Sequence, residues 1–93
     1  MTWRYQPVWI KHKETGITEF GMCEVYLTKD GKLKSWTDAY SIAPAGVDLN
    51  DLYGSIERMA IDCLRWKPVN FARMRTGMSF VRLGSIKKSK NNR

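Results

Sequence analysis

At 93 residues the chain has room for one domain with one modest core, since about 60–65% of the unfolded surface can be buried at this size. An apolar fraction of 43% against 27% charged, with four Trp, four Tyr and three Phe, excludes a disordered chain, and no run approaches the ~18 apolar residues of a membrane span. The net charge of +7 is local: all nine acidic residues fall between Glu14 and Asp62 and are balanced by nine basic ones within residues 1–70, while residues 71–93 carry seven cations and no carboxylate.

Residues 3–13 are rich in aromatic and β-branched types, and Glu14-Thr15-Gly16 turns the chain into a second extended run over residues 17–27. Asp30-Gly31 is a hairpin pair and predicts a third strand over residues 33–38. A first turn centred on Thr15 sets Trp9 opposite Gly21, Tyr5 opposite Val25 and Trp3 opposite Leu27. A second turn pairing Lys29 with Lys32 sets Val25 opposite Trp36 and Tyr26 opposite Ser35. One face then collects Trp3, Tyr5, Trp9, Cys23, Val25, Leu27 and Trp36 for a helix to cover. The other carries Arg4, Gln6, Glu24, Tyr26, Ser35 and Thr37, and at its far end Val8, Ile10, Phe20 and Met22. Pro7 has no amide to donate, which makes the first strand an edge or a bulged strand.

Pro44 and Gly46 mark a connection, after which residues 47–66 show a sustained helical period. Asp48 is placed to cap the free amides, Asp51 puts a carboxylate in the first turn, and Val47 and Leu52 have staple spacing. Leu49, Leu52, Ile56, Met59, Ala60 and Cys63 form one apolar stripe, with Asn50, Asp51, Glu57, Arg58, Asp62 and Arg65 expected in water. Pro68 stops the helix. Residues 69–71 then extend as a fourth strand, and residues 75–83 alternate well enough for a fifth. The prediction is an α+β fold: an antiparallel sheet of three to five strands, a β-meander, covered on one face by a single α-helix in the order β-β-β-α-β(-β). Residues 1–84 make one domain, followed by a basic flexible tail over residues 85–93.

Few chemistries survive inspection. The single histidine, His12, lies opposite Thr18 in this register and Cys23 opposite Pro7, on the order of 16 Å apart at the usual strand rise, so the two make no dyad. One His and two separated Cys have no zinc spacing, and no phosphate-binding glycine loop occurs. Glu24 is read as a carboxylate paired with Arg4 or Lys34 at the sheet surface. The expectation is therefore a non-enzymatic protein with no catalytic residue, metal, cofactor or small-molecule substrate. With no signal-peptide pattern at the amino terminus, a cytoplasmic location, no membrane contact and two reduced, buried cysteines follow.

Two surfaces remain. Val8, Ile10, Phe20 and Met22, left uncovered by the helix, are the candidate interface for a protein partner or a homodimer. Arg73, Arg75, Arg82, Lys87, Lys88, Lys90 and Arg93 are the candidate polyanion contact. Without a reading element they imply only non-specific nucleic-acid binding by an accessory protein.

The motifs Trp3-Arg4-Tyr5, Cys23-Glu24-Val25-Tyr26, Asp30-Gly31, Trp36-Thr37, Ala43-Pro44-Ala45-Gly46, Arg58-Met59, Pro68-Val69 and Gly77-Met78-Ser79-Phe80 together resemble a family of small uncharacterised proteins of proteobacteria, and possibly phage, over about residues 1–80. That resemblance implies a compact single domain and carries no activity. The order of strands, helix and Pro-Val strand is also similar in topology to the amino-terminal domain of HicB-like antitoxins, which implies a partner-binding inhibitor that assembles as an oligomer.

Overall fold

The computed structural model describes residues 2–39 and 42–83. Strands β1 (Thr2–Lys11), β2 (Thr18–Leu27) and β3 (Leu33–Trp36) are followed by helix α1 (Leu49–Arg65), strand β4 (Val69–Asn70) and a 3-10 turn at Phe71–Arg73, which is the expected α+β order. The strands form one sheet ordered β3-β2-β1-β4. It is mixed rather than antiparallel, because β4 runs parallel to β1, with Val8 opposite Val69 and Trp9 opposite Asn70. A helix between β3 and β4 is the crossover that parallel strands require. The fifth strand expected over residues 75–83 reduces to a single antiparallel bridge between Trp66 and Arg82. The tail expected over residues 85–93 lies outside the described residues.

The first hairpin closes one residue away from the expected register. Gly16 adopts φ 73° and donates to His12 O at 2.7 Å, and His12 N donates to Ile17 O at 2.9 Å. A left-handed glycine at the end of the turn gives a loop of even length, whereas a turn centred on Thr15 is odd. Trp9 therefore faces Phe20, Val8 faces Gly21, Tyr5 faces Glu24 and Trp3 faces Tyr26. Since side chains alternate, that single step moves all of β1 to the opposite face relative to β2. In the second hairpin Val25–Trp36 and Tyr26–Ser35 pair as expected, but Thr28 rather than Lys29 closes the turn on Lys32, at 2.9 Å. Gly31 at φ 82° completes a three-residue loop, and a bulge between Tyr26 and Leu27 absorbs the extra residue.

The core lies on the face shared by Val8, Cys23, Val25, Leu27 and Leu33, with Ala39 lying over Gly21. The helix does not cover it. The segment after β4 crosses this face, packing Met74 into the core and Phe71, Met78 and Phe80 against it. Its crossing ends at the outer edge of β3, where Leu33 N donates to Met78 O at 2.9 Å and Gly77 N to Leu33 O at 2.7 Å. A sheet edge that would otherwise template aggregation is thereby partly paired.

Helix α1 begins as expected, with Asp48 Oδ1 accepting from Asp51 N at 2.8 Å. Val47 is almost fully exposed, so the staple to Leu52 does not form. Gly46 is fixed by close approach, since a Cβ there would sit 2.4 Å from Leu52 N. The helix packs chiefly against β1, turning toward it the half-buried Leu52, Ser55 and Met59 and the buried Asp62.

Cys23 is fully buried as expected, whereas Cys63 is exposed; both are free thiols. Burial pushes the Cys23 thiol from 9.0 up to about 11, with Arg4 pulling the other way and Glu24 adding to the rise. The folded state thus holds more protons than the unfolded chain between these values, so stability is full below pH 9 and falls as pH rises toward 11. The expected loss is up to about 2 kcal/mol. Urea unfolding across this interval checks it: Cys23→Ala should show a shallower fall than the parent, and equal slopes would contradict the assignment.

Candidate interaction surface

The edge of β1 that faces away from β2 is occupied over only two residues by β4, which leaves its amino-terminal half to be satisfied otherwise. Asp62, one turn from the end of α1, does this: its Oδ2 accepts from Tyr5 N at 3.0 Å, and the residue is 7% exposed. Pro7 points the same way along the strand, so its missing amide leaves nothing orphaned there. Gln6, fully buried, donates from Nε2 to Pro7 O at 2.9 Å and to Lys67 O at 3.0 Å, tying the strand to the end of the helix.

Beside this edge Arg4 lies 3.6 Å from the centre of the Trp66 ring and 5.0 Å from that of Phe80, while Arg82 stands 5.6 Å from Trp66. Arg4 Nη1 donates to Gln6 Oε1 at 2.7 Å and to Tyr5 O at 2.9 Å. Burial lowers the Arg4 guanidinium to about 10, opposed by the charge of Asp62, and it stays cationic at neutral pH. This stack fastens the carboxy-terminal segment to β1 through cation–π contact and packing of the arginine stem. A cleft of about 510 Å³ opens next to it between Thr2, Trp3, Leu27, Asp30 and Ser79. Sequence reasoning put Asp62 in water and Arg4 at the sheet surface. A carboxylate near the negative end of a helix, between Ile61 and Cys63, is the signal that could have marked Asp62.

Because Asp62 turns toward the strand, the apolar face of α1 turns away from it. Leu52, Ser55, Met59 and Asp62 make the inward stripe; roughly 100° around the helix, Leu49, Tyr53, Ile56, Ala60 and Cys63 make the outward one. Leu49 is 82% exposed, Tyr53 65%, Ile56 47% and the adjoining Leu64 78%. Of the stripe expected to cover the sheet, only Leu52 and Met59 turn toward it. A contiguous apolar strip on a well-capped helix is the kind of surface that marks an interaction site.

The four residues expected to form an interface are not brought together. Val8 is fully buried in the core and Ile10 packs against it, while Phe20 and Met22 point from the opposite face beside Trp9. Phe20 is 65% exposed and Met22 half-buried. Of the basic residues, Arg73, Arg75 and Arg82 are exposed, as any solvated cation is; Lys87, Lys88, Lys90 and Arg93 lie outside the described residues. Glu24 accepts from the Tyr26 hydroxyl rather than pairing with Arg4 or Lys34, and that bond raises the Tyr26 pKa. His12 bonds Glu19 at 2.8 Å at the hairpin end. Among the described residues no cluster of metal-ligating side chains occurs, and no helix is long and apolar enough to cross a membrane. No family description, curated protein or solved structure matches the chain.

Proposed function

We propose that this is a non-enzymatic interaction protein whose partner docks on the outward stripe of α1. The observation that carries the reading is the exposure of Leu49, Tyr53, Ile56 and Leu64 on a helix whose position is already held by Asp62 and Gln6, so that folding does not need that face. Of the groups that could support turnover, Cys23 is a buried, protonated thiol and His12 is paired with Glu19 at the far hairpin. The order of three strands, helix and short strand, on which the likeness to HicB-like antitoxin domains rests, is compatible with an inhibitor that acts by occupying a partner's surface.

The double variant Tyr53→Glu/Ile56→Glu places two charges on the stripe without touching the core. Affinity capture from the expressing cells should recover proteins bound by the parent chain and by Phe20→Asp but lost from this variant, with all three giving the same circular dichroism. Identical sets on all three would refute the helix as the docking face. A salt titration with labelled nucleic acid runs alongside, since steep salt dependence would move the function to the arginines.

A further inference from the structure

We infer that the outward face of α1 pairs with the same face of a second copy of this chain, the two helices running antiparallel about a twofold axis near Ile56. This rests on the proposed docking face and names its occupant. The stripe is self-complementary only in that direction. Leu49 and Cys63 are equidistant from Ile56, and Tyr53 and Ala60 nearly so, so an antiparallel mate sets each large side chain against a small one. Ile56 meets its own copy at the axis. Large-to-small matching lets two helices approach closely and interlock, as twofold pairing of one patch with itself demands.

Charge follows the same rule. Asp48 and Asp51 stand at the amino end of α1, and Arg65 at its carboxyl end with Lys67 just beyond. An antiparallel mate sets the acidic amino end of each helix alongside the basic carboxyl end of the other and opposes the two helix dipoles, whereas a parallel mate stacks like on like; Arg65 itself lies on the strand side of α1, so the effect is one of the helix ends and not of an ion pair. The two Glu57 side chains face each other at the wet rim, where solvent screens their repulsion. The chain's own remaining segment does not fit the strip: residues 84–93, Gly-Ser-Ile-Lys-Lys-Ser-Lys-Asn-Asn-Arg, hold one large apolar side chain.

Cys63 makes the geometry readable. Positions 49 and 63 of one helix are roughly 21 Å apart, far beyond a disulfide's reach, so a bridge between them joins two chains. Leu49→Cys alters a side chain that is 82% exposed and leaves the fold intact. Under mild oxidation this variant should form a covalent dimer, bridged from the new thiol to Cys63 of the second copy, roughly tenfold or more faster than the parent, because pairing raises the effective thiol concentration. Light scattering should show the parent as a dimer and Ile56→Glu as a monomer. A parent that is monomeric at every concentration overturns the pairing, as does a parent that bridges through its own Cys63 as fast as the variant. The docking reading is then judged separately, by whether Tyr53→Glu/Ile56→Glu still changes what is captured.

Discussion

Asp62→Ala should lower the free energy of unfolding by about 3 kcal/mol, which for a domain this size is a fall of roughly 12–24 °C in Tm. Two losses add. The Tyr5 amide, whose partner is Asp62 Oδ2 at 3.0 Å, is left without an acceptor on a buried edge, and an orphaned buried donor costs about 1–3 kcal/mol. The Arg4 guanidinium, already depressed to about 10 by burial, also loses the one carboxylate that opposes that shift. Asp62→Asn keeps an oxygen for the Tyr5 amide and should cost about half as much. The sign is diagnostic. Were Asp62 in water near the negative end of α1, as the helical pattern alone places it, removing its charge would stabilise the helix slightly. Urea unfolding with an unchanged m-value decides between the two.

Val8→Asp should abolish folding, while Phe20→Asp should change stability by less than about 0.5 kcal/mol. Val8 is 0% exposed, opposite Gly21 on one side and Val69 on the other, within the apolar core cluster. Burying an unpaired charge there costs several kcal/mol, against a total stability of about 5–15 kcal/mol for a small domain. Phe20 is 65% exposed on the opposite face. A hairpin centred on Thr15 would put both residues on one face and make the two variants behave alike. Their contrast, read by circular dichroism and by yield of soluble protein, is thus a direct test of register.

The element order was legible in the residues because each element has a local cause. Asp30-Gly31, the Asp48 cap, the 3.6-residue period of α1 and Pro68 all act within a few positions of themselves. The faces were not legible to the same degree. Whether Val8 lies with Cys23 or with Phe20 depends on one residue of loop length, and Gly16 decides that through a φ of 73° that composition does not disclose. The expected interface of Val8, Ile10, Phe20 and Met22 dissolves for this reason alone.

What the sequence determined by itself is an α+β chain with one amphipathic helix, a neutral body and its charge excess beyond Pro68, since these follow from periodicity, capping and the positions of the ionisable residues. What only the tertiary structure decided is which surface each apolar face meets. The core face of the sheet is closed by Met74, Met78 and Phe80 from the carboxy-terminal segment, and the open edge of β1 draws the helix to it through the Tyr5 amide and Asp62. Hydrophobic period fixes which residues share a side, but it is non-directional. A single buried hydrogen bond, which must be made, turns the helix so that its apolar stripe faces outward.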